Sequence, residues 1–328
     1  MKNQILGLCG VAVSPWSKSE RNNKPTITKV WRPRLSCVVT LSLMLCVVPA
    51  AAGERGGGPP GSITFFSARD GNNEIYVINV DGSDPFRVTY DPASDVDPDI
   101  SPNGQQIVFT SNRSGDNDIY VVDRSGGEVR NLTNHPANDG WARWSPNGQQ
   151  IVFHSNRDGN FEIYMINADG SGNPTRVTDY PGVDQFPDWS PNGQQIVFRR
   201  DHDIYVMNLN SGAVDRLTDD PQLDQMAVWA PNGQHFAFMS FREGYCSVFR
   251  MNADGSQQTN LTPKDPGDLE AQWCSRAPSW SANGQEILFM SFRPSTGGDT
   301  EVFVMNADGT DVRRLTNSPG VDGSPRAR

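Results

Sequence analysis

Five aspartates recur at one offset in this chain. Asp95, Asp139, Asp184, Asp224 and Asp322 each stand five residues before a position that is usually tryptophan, and a sixth copy carries Ser275 there. A ring of carboxylate oxygens is a donor set for a hard cation such as Ca2+, and it would equally attract a basic peptide. An arginine series runs alongside: Arg69, Arg113, Arg157, Arg200, Arg242 and Arg293. A carboxylate repeated next to a repeated guanidinium also reads as a structural pair, or as a cap on its own loop. That pairing is the favoured reading. Asp95-Val96-Asp97-Pro98-Asp99 opens like a calcium loop, but it lacks the glycine at the sixth position and the distal glutamate.

Other chemistry is thinly represented. The histidines, His135, His154, His202 and His235, occupy unlike repeat positions, whereas an imidazole metal site needs convergent ligands. No Gly-x-Ser-x-Gly elbow occurs.

The elements that must position these residues are repeats. Trp189-Ser190-Pro191-Asn192-Gly193-Gln194-Gln195-Ile196-Val197-Phe198 returns at 144–153 and, led by Ile100, at 100–109, with degraded copies led by Trp229 and Trp280. The leading positions are 44, 45, 40 and 51 residues apart, a period that signals a repeat architecture. Each copy holds four short runs rich in β-branched and aromatic residues, separated by Pro-Asn-Gly and Ala-Asp-Gly turns. Four strands per such period describe a propeller blade.

Counting second and third runs gives six blades, the first lacking an inner strand. Pro319-Gly320-Val321-Asp322-Gly323-Ser324-Pro325 matches Pro181-Gly182-Val183-Asp184-Gln185-Phe186-Pro187. The expected fold is therefore all-β: a six-bladed β-propeller of four-stranded antiparallel blades, with the C-terminal segment completing the first sheet and removing exposed edges. Ala327 stands where tryptophan is expected, so the closing strand looks weak.

Loops from outer to inner strands share one face with those joining second to third strands; the Pro-Asn-Gly and Ala-Asp-Gly turns lie on the other. The turns barely vary, and variation concentrates on the first face. There the segment 264–276 is an insertion containing Glu270, Trp273 and Arg276, and the loop 294–300 is lengthened by three. An exposed Trp beside Arg on a rigidly held loop is a binding candidate; a Trp plugging the insertion's own small core is the alternative.

Residues 1–52 differ in composition. A basic flank, an apolar run over 35–48 and the Ala50-Ala51-Ala52 site make an export signal, of which residues 1–28 read as a start-site artefact. Residues 53–61 form a Gly/Pro linker, and 62–328 form the propeller. Without the leader the chain holds 21 basic and 37 acidic residues, a formal charge of −16, which argues against nucleic acid. No membrane span is expected after signal removal. Cys246 and Cys274 remain in a chain bound for an oxidising compartment; a disulfide and two separate thiols both stay open.

The motif Trp-Ser-Pro-Asn-Gly-x-x-Ile-x-Phe-x-Ser-x-Arg, then Glu-Ile-Tyr-Val-x-Asn-x-Asp-Gly and Arg-Leu-Thr, resembles the repeats of the TolB-like propeller family over essentially the whole mature chain. The resemblance implies an extracytoplasmic, periplasmic or secreted, binding module; similar repeats also accompany protease domains and sugar-acid lyases, and fold alone does not choose. The expectation is a non-catalytic module that binds a protein or peptide, including cell-envelope components, through the variable face. No cofactor is expected apart from Ca2+ at the acidic channel mouth. The rival is a carbohydrate-active lyase using the mouth as its cleft, with Arg200, Arg276 and His135 as its candidates. An acidic mouth would repel an anionic sugar.

Overall fold

The structure, a computed structural model, describes residues 61–264, 274–292 and 299–328. Six antiparallel four-stranded sheets account for the strands. The first is assembled from both ends of the propeller: Asp322–Ala327 pairs with Ser62–Ser67, which pairs with Glu74–Asn79 and then Phe86–Arg87. The other inner strands are Asp95–Ile100, Asp139–Trp144, Asp184–Trp189, Asp224–Trp229 and Cys274–Trp280. Each sheet packs on the next, and the sixth packs against Asp322–Ala327, which closes a six-bladed ring. Ala327 pairs with Ile63 in the register in which Trp144 pairs with Ile151, so loss of the indole does not displace the closing strand.

The turns explain why one motif is rewritten so often. In Ser145-Pro146-Asn147-Gly148, the Gly148 amide donates to the Ser145 carbonyl at 2.9 Å, and the Asn147 side-chain oxygen accepts from the Gln149 amide at 3.0 Å and the Ser145 hydroxyl at 2.7 Å. Gly148 sits at φ 70°, where a side chain is disfavoured. With the hairpin fixed, Ile151-Val152-Phe153 is buried on both faces of its blade, which is why the run reads as continuously apolar. Trp144 wedges between blades, packed with Val108, Ile119 and Val121 of the second and Phe153 and Tyr164 of the third.

Every inner strand carries a β-bulge, and its displaced residue has positive φ without being glycine: Asp97, Trp141, Phe186, Met226, Ala277 and Ser324. A bulge re-aims one side chain. Trp141, Ala277 and Met290 cluster with Phe66, Phe186 and Met226 at the axis, so the channel contains an apolar plug. Beside the plug, His154 stacks edge-on against Phe161 and Phe186. Burial, reinforced by Arg199 and Arg143, pushes its pKa down to about 3.

Asp322→Asn should lower stability by about 3 kcal/mol, because it leaves Arg69 unpaired in a buried setting. In urea unfolding the loss should resemble that of Asp95→Asn. Amide exchange in 62–67 should rise only for Asp322→Asn, since of the five aspartate–arginine pairs that one joins the two ends of the ring. His154 is neutral when folded and titrates near 6.5 when unfolded. The unfolded chain therefore takes up the proton first, and stability should fall on acidification from about pH 6.5 toward about 3 by up to about 1.4 kcal/mol per pH unit. His154→Gln should flatten that part of the stability–pH curve.

Candidate functional site

The five repeated aspartates are all buried, each with its side chain 0 % exposed, and each is paired with the arginine of its own blade. Asp95 meets Arg113 at 2.7 Å, Asp139 meets Arg157 at 2.9 Å and Asp184 meets Arg200 at 2.8 Å. Asp224 meets Arg242 at 2.7 Å and Asp322 meets Arg69 at 3.0 Å. The guanidinium also packs against two rings that stack on each other: Arg113 is 5.4 Å from the Phe109 centroid and 5.0 Å from that of Tyr120. Ser111 accepts from its Nε at 3.0 Å. Burial raises the pKa of Asp139, Asp184 and Asp224, while the neighbouring arginines and hydroxyls pull it back. As they stand, these carboxylates are closed off from a ligand. They form structural pairs rather than an open ring of oxygens. Among the described residues no three His, Cys, Asp or Glu side chains assemble as a metal site.

In the sixth blade the Asp position belongs to Ser275, whose hydroxyl lies 3.0 Å from that of Ser291. The neighbouring Cys274 is joined to Cys246 of the fifth blade by a disulfide, with Cα atoms 4.6 Å apart. Glu270 and Trp273 lie outside the described residues. Arg276 is exposed on the sixth inner strand, opposite Met290, and its charge reaches Asp97 across the axis. The remaining lyase candidates are not brought together. Arg200 is held by both oxygens of Asp184 and stacked on Tyr180 and Phe198. His135 sits in a loop before the third blade, its amide bonded to Asp118 and its Nδ1 accepting from the Ala137 amide.

The channel itself is charged, by residues outside the repeated aspartate and arginine series. Arg199 bridges the Gln185 and Gln225 side chains at the variable-face end. Below it Asp97 accepts a 2.7 Å hydrogen bond from Ser324, its pKa raised by burial and tempered by that bond and by Arg143, Arg326 and Arg276. Toward the turn face come Arg143, Asp99, Asp188, Arg326 and Arg328. Asp99 accepts the Trp144 amide at 2.8 Å and Asp188 the Trp229 amide at 3.1 Å, so each ties its blade to the next. Arg143 is 2 % exposed; burial and the charge of Arg326 hold its pKa below the ordinary value.

A signal for this column existed in the repeat. The residue just before the tryptophan position runs Asp99, Arg143, Asp188, Val228, Ser279 and Arg326. One position therefore alternates between acid, base and neutral within an otherwise repeated motif. The turn face, set aside because its turns barely vary, carries the more polar end of the axis.

Comparison with known proteins agrees with this architecture. Residues 58–139 and 176–276 match the TolB beta propeller domain family, and residues 115–202 match the Tricorn protease N-terminal beta propeller domain. The Tol-Pal system protein TolB of Geobacter sulfurreducens is 38% identical over 61 residues, which is 19% of this chain and 14% of that protein. Among solved structures, TolB from Acinetobacter baumannii superposes with a TM-score of 0.71 at 22% identity, over 81% of this chain and 66% of the other. A putative TolB from Agrobacterium tumefaciens gives 0.63 at 23% identity, over 83% and 98%. The chain thus spans about two thirds of the Acinetobacter protein and a small part of the Geobacter one. Matched over more than half its length, the chain belongs to the TolB β-propeller domain family.

Proposed function

We propose that this propeller is an exported, non-catalytic binding module that receives a basic segment of a partner protein on its variable face. The supporting observation is the acidic rim. Asp116, Asp158, Asp179, Asp201, Asp219 and Glu243 are exposed on loops of that face. Asp116 and Glu243 have no ion-pair partner among the described residues. Tyr90, 69 % exposed, stacks on Arg87 on the same rim and offers an aromatic contact. A rigid ring holds these loops, with the apolar plug beneath them. Export is supported by the Cys246–Cys274 disulfide and by the likeness to TolB proteins.

Tagged protein should co-purify one partner from the native envelope, with recovery falling steeply as salt rises. Asp116→Lys combined with Glu243→Lys should reduce capture about tenfold without changing the unfolding midpoint, as expected for exposed charges that steer association. Equal capture by the double variant, or turnover of uronate polymers by the purified chain, would overturn the proposal.

A further inference from the structure

Five Asn-Gly pairs stand on one backbone template, at 103–104, 147–148, 192–193, 232–233 and 283–284. All five asparagines are exposed, and the five glycines share a φ of 69–70°. Each glycine amide donates to the carbonyl three residues earlier at 2.8–2.9 Å. Any difference in their reactivity therefore comes from what surrounds the asparagine side chain.

Four of the asparagines are held twice. A serine hydroxyl donates to the side-chain oxygen of Asn103, Asn147, Asn192 and Asn283 at 2.7–2.8 Å. The amide two residues further on donates to the same oxygen at 3.0 Å. In the fifth blade Ala230 stands where the other turns have serine. Asn232 keeps the bond from the Gln234 amide, at 2.9 Å, and has no hydroxyl to hold it. The His235 amide loses an acceptor as well, because the serine hydroxyl accepts the equivalent amide in the other turns. Packing differs too. A methyl group added at Gly148, Gly193 or Gly284 would touch the proline ring of the preceding blade, whereas at Gly233 it would meet open space. Gly104 is equally open, but Asn103 keeps its serine.

An Asn-Gly pair can cyclise on itself, because glycine leaves the approach to its nitrogen clear. The glycine nitrogen gives up its proton to solvent and bonds to the asparagine Cγ. The Cγ–Nδ2 bond breaks, and Nδ2 takes up a proton and leaves as ammonia. Water then opens the five-membered imide at either carbonyl, leaving aspartate or isoaspartate. No electrons are gained or lost. A side chain anchored at its oxygen must let go before Cγ can swing to the nitrogen, and loss of one anchoring hydrogen bond makes that release about fivefold more frequent.

We propose that Asn232 is a modification site, the first of the five Asn-Gly pairs to convert to aspartate or isoaspartate by reaction with water. Asn232 and Gly233 line a cavity of about 570 Å³ on the turn face, so the product adds a carboxylate beside Asp215 and Asp254. Isoaspartate also lengthens the main chain by one carbon in the turn that joins Asp224–Trp229 to His235–Ser240.

The test ages the whole propeller in mildly alkaline buffer and follows each Asn-Gly peptide by mass spectrometry, with aspartate and isoaspartate forms separated by chromatography. Asn232 should convert at least about fivefold faster than Asn103, Asn147, Asn192 and Asn283, as loss of one hydrogen bond implies. Ala230→Ser should slow Asn232 to the rate of the others, and Ser145→Ala should speed Asn147 about fivefold. Should Ala230→Ser fail to fold, since Ala230 is 1 % exposed, the Ser145→Ala variant and the ranking in the unaltered chain decide. Equal rates at the five sites, or an unchanged rate at Asn232 in Ala230→Ser or at Asn147 in Ser145→Ala, would overturn the proposal. So would Asn103 converting as fast as Asn232, which would assign the difference to open space at the glycine.

Discussion

The ring depends on one buried ion pair, repeated. At the entry of five inner strands an aspartate with no exposure meets an arginine that also packs against two aromatic rings. Removing a lone charge from water is expensive, and such a pair persists only when its remaining valences are filled. In four of the five pairs the serine of the second strand accepts from the guanidinium, in the fourth blade Arg200 itself stands in the serine's register, and two rings pack against the charge. The aspartate's amide reaches further: Asp139 donates it to Asn117 of the preceding blade, and Asp184 to Phe161. One residue thus fastens its own sheet internally and its neighbour laterally.

Two places depart from that arrangement, and both concern the seam between sheets. In the first blade the partners are 253 residues apart in sequence, so an interaction that is local elsewhere joins the ends of the ring. In the sixth blade the carboxylate is absent, and the adjoining residue is instead bonded covalently to the fifth. A serine pair occupies the position where the other blades have a charge. The lateral fastening is kept by different chemistry: the Ser275 amide still donates to the Cys246 carbonyl, as the aspartate amides do in other blades.

Much of this was legible in the residues themselves. The hairpin turn fixes its own geometry through Asn and Gly, so its spacing gave strand number and blade number. Three of the aspartate–arginine pairs stand 18 residues apart and a fourth 16, so their pairing could be read without coordinates. The channel could not be read that way. A two-residue alternation predicts which side chains share a face, but a bulge in every inner strand breaks the alternation between Val96 and Asp99 and at the equivalent positions. Which residues meet at the axis therefore follows from backbone geometry. Asp99, Arg143 and Arg326 looked like noise within a motif because their partners come from other blades. The disulfide was undecidable from spacing, since only the ring brings Cys246 to within 4.6 Å of Cys274.

The bulges have an evolutionary consequence. At Asp97, Trp141, Phe186, Met226, Ala277 and Ser324 the main chain adopts the same left-handed conformation under six unlike side chains. The scaffold, and not the occupant, determines the direction of each. Architecture and interior chemistry are thereby uncoupled: a single codon change can rewrite one of six addresses around the axis while the surrounding sheet stays as it was.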